Sequence, residues 1–426
     1  MPSLERPQFR VPLNARRVDH DGAAFVAIED PRGVLAGPVA VPMATFQRVL
    51  CHFDGSKTLP EIQAAVLRET GQFLTLAALE TLVRQLDEAL VLDGPRFEEF
   101  MKAFRAMKCR PTAHAGRSYA GTERALRAQL SHFFAHEHGA GTIDEEAVGD
   151  GASSTAFEGP RFRGVISPHI DFARGGPTYT HAYRALLERS NADVFVILGV
   201  AHQACTRRFV LTRKDFETPL GVVTTNKKYV DRIAEIAGDI YFDDELAHHV
   251  EHSIEFQVVF LQHVLGARRP FTIVPILVGS FHDLMARGVD PIADPEVAAF
   301  AAALRTTEDE SVKRVAYIGG VDLCHVGPEF GDPLPLEDEQ LEQVRGFDSA
   351  MLGHAAEGDA AGWFATAAQV GNRLRVCGLA ATYVFLHALG PTRGRVLRYD
   401  QAVDDRRTSC VSLAGMAFES RDASAL

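Results

Sequence analysis

The chain has few cysteines, no long apolar run and no excess of basic residues, and each absence argues against a class of protein. The six cysteines are far apart and include no C-x-x-C pair, which argues against a disulfide framework and a structural zinc ribbon. No apolar stretch approaches the roughly 20 residues that cross a bilayer. A formal net charge of −12 makes a broad nucleic-acid surface unexpected.

Composition and the N-terminal residues predict a cytoplasmic protein without membrane attachment. The first residues, MPSLERPQFRVPLNARR, lack the apolar segment of a secretory signal. The 426 residues, of which 46% are hydrophobic and 23% charged, are sufficient for two or three globular domains.

Residues 1–100 predict a small winged-helix-like α+β domain. Short strands are expected in VAIEDP and VLAGPVAV, and helices in MATFQRVLCHF, LPEIQAAVLRETG and LAALETLVRQLDEAL. Thr58 and Glu61 have the spacing of a capping box. The run VPMATFQRVLCHFDGSKTLPEI resembles the small PqqD-like peptide-binding domains. Because this segment is not basic, we expect a docking or packing module rather than a DNA-binding one.

Residues 101–426 predict a second, larger α/β domain. Two helical patterns lie in its first part, and an acidic Gly/Ser-rich segment at about 139–160 predicts an exposed loop. From residue 161 onward, buried strands such as ADVFVILGV and KRVAYIGGV alternate with helical segments. This alternation predicts a mainly parallel central sheet with helices on both faces.

Three of the predicted strands are followed by residues that can bind a metal ion. RGVIS precedes His169, VFVILG precedes His202, and VAYIGG precedes Cys324. Ligands of open α/β sheets bind at the carboxyl ends of the strands. Any one of these residues has an ordinary structural explanation, but together they predict a metal site with positions left open for water or substrate.

The segment 248–266, HHVEHSIEFQVVFLQHVLG, predicts a further helix near this site. It has no H-E-x-x-H motif, so it does not indicate a zincin. His252 is the candidate general acid or base, with Glu251 placed to orient its ring. For His248 and His249 we favour a polar helix surface, with additional metal ligands as the alternative.

The ordered set of motifs from residue 112 to about 418 resembles the Memo family, also described as AmmeMemoRadiSam system protein B. It comprises TAHAGRSY, SPHID with RGGPTY, LGVAHQ, DFETPLG, EHSIEFQ, VPILVG, GGVDLCHVG, VCGLA and SCVSLAGMAF. The resemblance implies a fold similar to the class III extradiol ring-cleaving dioxygenases. The N-terminal hundred residues lie outside it.

The resemblance also implies roles for individual residues. It implies His169, His202 and Cys324 as the ligands of one metal ion and His252 as the acid/base histidine. The residues expected to orient these groups are Asp322, His325, Glu251 and Asp171. No role follows for Cys205 or Cys377. Fe(II) is favoured by the fold, whereas ligand softness favours copper or zinc.

Three functions are compatible with this sequence. The first is an oxygen-dependent oxidoreductase related to the dioxygenases, with a small aromatic substrate. The second is a non-enzymatic metal or redox-linked protein that recruits AMMECR-type or radical SAM partners. The third is a metal-dependent hydrolase. A fold alone does not establish the reaction.

Overall fold

The computed structural model describes residues 4–143, 162–266 and 268–420. It divides into two compact units, residues 1–107 and 108–426, so the boundary lies a few residues after the predicted position near residue 100. Most of the predicted loop at 139–160 falls outside the described residues. Within the described ranges, no helix is both long and apolar enough to span a membrane.

From residue 4 onward, the first unit combines a three-stranded antiparallel sheet with four α-helices. Its strands are Asn14–His20 (β1), Ala23–Glu29 (β2) and Val39–Pro42 (β3), and its helices are Met43–Arg48 (α1), Leu59–Thr70 (α2), Leu76–Glu88 (α3) and Pro95–Ala106 (α4). The predicted capping box is present, since the backbone N–H of Thr58 donates to Glu61 at 2.7 Å. Strand β1 is mostly exposed and therefore lacks the apolar pattern by which sequence predicts a strand.

In the described part of the second unit, eight strands form one sheet whose centre is parallel. The four parallel strands are Phe162–Ser167 (β5), Val194–Val200 (β6), Thr272–Val278 (β10) and Val315–Gly320 (β11), in the order β5-β11-β6-β10. The antiparallel strands Phe209–Leu211 (β7), His325–Val326 (β12), Thr392–Val403 (β13) and Cys410–Ser420 (β14) extend the sheet at its two sides. Cys109–Arg110 (β4), Asp215–Thr218 (β8) and Gly221–Val223 (β9) form a separate small sheet.

Helices cover both faces of the large sheet, which confirms the predicted fold class. The helices of this unit are Glu123–Ala135 (α5), Phe172–Arg189 (α6), Lys227–Ala237 (α7), His252–Leu265 (α8), His282–Ala286 (α9), Pro295–Asp309 (α10), Asp338–Ala356 (α11), Ala360–Gln369 (α12) and Leu379–Leu389 (α13). Strand β6 shows the two faces directly. Val196 and Leu198 pack in the core with α7, α10 and α13, whereas Phe195 and Ile197 pack in the core with α6 and α8. A strand buried on both faces has the continuous apolar sequence seen here.

The segment 248–266 departs from the predicted single helix. Residues Glu245–His248 form a 3₁₀-helix, and α8 begins at His252 with Glu251 as its N-cap. His248 is buried, its Nε2 lies 3.0 Å from the carbonyl oxygen of Val210, and its ring packs on Phe216. The expectation that His248 belongs to a polar helix surface is therefore wrong, because the residue precedes the helix and points into the core.

Candidate metal centre

His169 follows the carboxyl end of β5 and is held rigidly. Its backbone N–H donates to Asp322 at 2.9 Å, and its Nδ1 lies 2.8 Å from the carbonyl oxygen of Gly320. Only 2% of the residue is exposed. Because a neutral imidazole that donates from Nδ1 has its lone pair on Nε2, this ring presents Nε2 as a possible ligand atom.

His202 follows the carboxyl end of β6 and is held by a carboxylate. Its Nδ1 lies 3.1 Å from both carboxylate oxygens of Glu251, and its backbone N–H donates to the same group at 3.2 Å. A carboxylate on the far nitrogen of an imidazole orients the ring and makes the other nitrogen a stronger metal ligand.

His252 is the first residue of α8, and its position is set by the helix cap. The carboxylate of Glu251 accepts the backbone N–H groups of His252 at 2.8 Å and of Ser253 at 3.0 Å. Ser253 in turn joins α8 to strand β6, since its hydroxyl donates to the carbonyl oxygen of Val200 at 3.1 Å and accepts the N–H of Val200 at 3.0 Å. The helix start and the strand end therefore form one hydrogen-bonded unit.

Two glycines permit this close approach of helix and sheet. A Cβ on Gly199 would lie 2.5 Å from the hydroxyl oxygen of Ser253, and a Cβ on Gly320 would lie 2.5 Å from the carbonyl oxygen of Ser253. Neither separation is sterically possible, so a side chain at either position would require the Ser253 side chain or the start of α8 to shift. The glycines of LGV and GGV are thus needed to bring His252 to the strand ends.

The three histidines converge on one point. Their ligand atoms lie within 4.8 Å of one another, and across the described ranges this is the group of His, Cys, Asp and Glu ligand atoms with that property. The ring centroids of His169 and His202 are 4.9 Å apart, and those of His202 and His252 are 4.8 Å apart. The structure therefore brings together His169 and His202, as predicted, but with His252 as the third member.

Burial and the charges of neighbouring groups set the pKa values of these residues. Burial lowers the pKa of both His169 and His252 to about 3, so both rings are neutral at neutral pH. For His202, burial opposes protonation, but the charge and hydrogen bonds of Glu251 outweigh it and raise the pKa. Burial also opposes ionisation of Glu251, yet the charge and hydrogen bond of His202 hold its pKa well below the usual range.

Cys324, the predicted third ligand, lies outside this group. It is buried in the core that contains α11 and α13, with its Sγ 3.1 Å from Asp348 Oδ1. Its backbone N–H donates to the hydroxyl of Ser412 on β14 at 2.9 Å. This pairing turns the thiol into the core, and burial raises its pKa far above the ordinary value. The structure does not bring Cys324 to the two histidines.

Cys377 supplies the thiol that does approach the cluster. Its Sγ lies 3.4 Å from His169 Nε2 and 3.6 Å from the carbonyl oxygen of Asp322. A sulfur and a nitrogen bound to one tetrahedral zinc ion are separated by about 3.5 Å when the usual bond lengths are used. Sequence reasoning missed this residue, although VCGLA was among the quoted motifs, because no predicted strand ends directly before it.

Of the other residues predicted to orient the ligands, Asp322 contacts His169, whereas His325 and Asp171 have other partners. Asp322 is buried, and its Oδ2 lies 3.6 Å from His169 Nε2. His325 is held by the carbonyl oxygens of Leu323 and Arg375, each 3.2 Å from its Nδ1. Asp171 caps α6 instead, where it accepts the backbone N–H of Arg174 and pairs with its guanidinium.

A buried ion pair, which sequence reasoning also missed, supports the segment before α8. Arg110 donates to Glu255 at 2.5 Å, to the carbonyl oxygen of Glu251 at 2.9 Å and to that of His248. Glu255 also accepts the backbone N–H groups of Ala113 and His114, each at 3.0 Å. Both members of the pair are almost fully buried. TAHAGRSY and EHSIEFQ thus belong to one hydrogen-bonded network.

A cavity of about 260 Å³ adjoins the cluster. His202 and Cys377 line it together with apolar residues that follow β6 and β10 and with residues of the segment 372–380. One imidazole of the cluster, that of His202, therefore faces a space that a small molecule can enter.

Comparison with known proteins gives one family. The family model of the Memo-like protein matches residues 110–417. A MEMO1 family protein of Aquifex aeolicus is 28% identical over 409 residues, which cover 93% of this chain and 96% of that protein. A MEMO1 family protein of Methanopyrus kandleri is 28% identical over 301 residues, which cover 69% of this chain and 93% of its own length. The family resemblance predicted from the motifs is confirmed, and the chain belongs to the Memo family.

Proposed function

We propose that His169, His202 and His252 bind one transition-metal ion and that the site belongs to an oxygen-dependent oxidoreductase acting on a small molecule. The observation that supports the metal is the convergence of the three ligand atoms within 4.8 Å. Nitrogens on one tetrahedral ion are about 3.4 Å apart, so small side-chain rotations suffice to close the cluster.

The chemistry of the donor groups fits a metal ion. Metal ligands must be deprotonated, and burial keeps His169 and His252 neutral. Glu251 supplies the negative charge that orients His202. Cys377 is the candidate fourth ligand because of its distance to His169.

The side chains of this cluster can bind several kinds of metal ion. Imidazole suits iron, copper and zinc alike, and a thiolate adds preference for the softer ions. We propose Fe(II), following the resemblance to the extradiol dioxygenases, with copper and zinc as the alternatives. When bound, such an ion supplies Lewis-acid and redox chemistry.

The protein's own groups around the ion have separate tasks in this proposal. Asp322 fixes the backbone of His169 through its N–H, and Glu251 fixes His202 and the start of α8. His252 is the third nitrogen of the cluster, and the acid–base role predicted from the sequence is the alternative assignment. A neutral ring at this position can accept a proton from a molecule bound at the cluster.

Metal analysis after anaerobic purification tests the site. We expect about one ion per chain, lost in His169→Ala. In His252→Ala, loss of the ion assigns His252 as a ligand, whereas retention of the ion with loss of turnover assigns the acid–base role.

Oxygen uptake by the iron-loaded protein with a panel of catechols tests the reaction. Uptake that requires His169 supports the oxidoreductase. A metal-loaded protein without uptake favours the non-enzymatic reading, in which association with AMMECR-type or radical SAM proteins is the expected role. Metal-dependent hydrolysis of ester substrates would instead favour the hydrolase.

A further inference from the structure

The cavity beside the cluster has a mainly apolar wall. Val200, Val278, Phe281 and Leu379 line it and are at least 92% buried, whereas His202 and Cys377 connect it to the candidate metal centre. A cavity of roughly 150 Å³ holds one benzene molecule. About 260 Å³ therefore accommodates one ring with a short substituent.

Two polar side chains that line the cavity, Asn372 and His282, are hydrogen-bonded to each other. The Oδ1 of Asn372 accepts the backbone N–H of Val376 at 2.9 Å, which fixes the orientation of the amide. Its Nδ2 therefore donates to Nε2 of His282 at 3.2 Å. A neutral His282 then carries its ring proton on Nδ1, which makes this nitrogen a hydrogen-bond donor on a residue that lines the cavity.

The loop that carries Asn372 is held in an unusual conformation. Asn372 has φ 49° and Arg375 has φ 54°, both in the left-handed region that residues with a Cβ rarely adopt. Non-glycine residues in such conformations persist where the surrounding structure imposes them, and they cluster at binding sites. The strain supports the view that the Asn372–His282 pair is specifically positioned.

Arg375, which lines the cavity, already forms an ion pair within the protein. The guanidinium of Arg375 makes a two-pronged ion pair with Asp332, at 2.6 and 3.2 Å, and donates to the carbonyl oxygen of His325 at 3.0 Å. A carboxylate on a ligand would thus find Arg375 already paired, and the single N–H of His282 would offset only part of the cost of desolvating its charge. An uncharged ligand avoids this cost.

We propose that this cavity binds an uncharged, mainly apolar molecule of about ten non-hydrogen atoms, with an oxygen atom that accepts a hydrogen bond from His282. His282 and Asn372 are then specificity-determining residues. The assignment of this molecule as the substrate rests on the proposed function, whereas the binding itself requires no metal ion.

Binding to the metal-free full-length protein tests the proposal, with three probes that share a ring. Benzyl alcohol is uncharged and has an oxygen, toluene lacks the oxygen, and benzoate carries a charge. In titrations followed by ligand-observed NMR, we expect benzyl alcohol to bind at least tenfold more tightly than benzoate. The substitution Ala380→Leu is expected to fill the cavity and to abolish binding of all three probes.

His282→Ala changes an exposed side chain and is expected to fold normally. The variant should bind benzyl alcohol about fivefold more weakly, the effect of losing one hydrogen bond. Its affinity for toluene should change less than twofold. His20→Ala, on an exposed strand of the other unit, is the control and should change neither.

Equal affinities for benzoate and benzyl alcohol would overturn the proposal. So would a His282→Ala variant that binds benzyl alcohol like the unaltered protein. Metal content is measured on the same preparation. Probe binding without metal uptake would refute only the proposed metal centre, and metal uptake without probe binding would refute only the ligand assigned to this cavity.

Discussion

The carboxylate of Glu251 lies 3.1 Å from Nδ1 of His202 and at the same time caps the helix that carries His252. It is 96% buried, so its charge is not screened by solvent. One side chain therefore sets the orientation of one imidazole and the backbone position of another. The geometry of the candidate metal centre depends on this carboxylate although it is not a ligand itself.

Replacing Glu251 by glutamine removes the negative charge, keeps the shape of the side chain and so tests this role. Glu251→Gln is expected to weaken metal binding about 10- to 100-fold, the usual effect of losing a group that orients a ligand. The apparent dissociation constant is measured by competition with a chelator. Glu137→Gln, at a side chain that is 80% exposed, is the matched control. Unchanged affinity in Glu251→Gln would show that the carboxylate does not support the site.

The fold was predictable because the strands of the parallel sheet are continuous apolar runs. Val194–Val200 is buried on both faces, so its sequence has no polar interruption, and its short length and its content of Val, Ile and Phe favour a strand over a helix. The start of α8 was not predictable in the same way. The residues before it form a 3₁₀-helix and carry buried polar groups such as His248, which resemble an exposed helix when only sequence spacing is considered.

The site was predictable only where a ligand directly follows a strand of the parallel sheet. His169 and His202 follow β5 and β6 and meet as expected. Cys324 comes four residues after β11, whereas the two histidines each come two residues after their strands, and the chain there pairs with Ser412 of β14 and turns the thiol into the core. Cys377 reaches the cluster from the segment before α13, and such a contact between remote segments leaves no local pattern in the sequence.

The two cysteines give a second prediction. A cobalt(II)-substituted protein with a thiolate ligand shows a sulfur-to-metal charge-transfer band. We expect this band to disappear in Cys377→Ser and to persist in Cys324→Ser, because Cys324 Sγ contacts Asp348. Absorption spectroscopy of the two variants provides the measurement, and each variant is the control for the other. Loss of the band in Cys324→Ser alone would restore the ligand set predicted from the sequence.

The buried pair of Arg110 and Glu255 predicts a large effect on stability. Arg110→Met leaves the carboxylate of Glu255 buried without its cation, which is expected to lower the free energy of unfolding by about 3–5 kcal/mol. Urea denaturation measures this change. Arg127→Met, which removes an exposed pair with Glu123, should cost less than about 1 kcal/mol. Similar losses in both variants would contradict the role assigned to the buried pair.

His248 predicts a pH dependence of stability. Burial lowers its pKa from 6.5 to about 3, so below pH 6.5 the unfolded chain binds a proton that the folded chain does not. The stabilisation is therefore complete above pH 6.5 and is lost as the pH falls towards 3. His248→Gln should reduce the slope of unfolding free energy against pH by up to about 1.4 kcal/mol per pH unit in this window.

Urea denaturation at several pH values between 6 and 4 measures this slope. The control is His20→Gln, since the side chain of His20 is 77% exposed. An unchanged slope in His248→Gln would mean that this histidine does not titrate differently in the folded and unfolded chains.

Removal of residues 1–107 provides the last prediction. The hydrophobic core of the first unit consists of residues between Val26 and Leu92, whereas both cores of the second unit begin after residue 108. The Methanopyrus kandleri relative matches 69% of this chain with 93% of its own length, and the family model matches residues 110–417, all of which lie in the second unit. We expect the fragment 108–426 to fold and to bind metal with the affinity of the full chain, because His169, His202, His252 and Cys377 all lie within it. Circular dichroism and metal analysis check both points. A folded fragment that binds no metal would contradict this prediction, because it would show that metal binding requires the first unit.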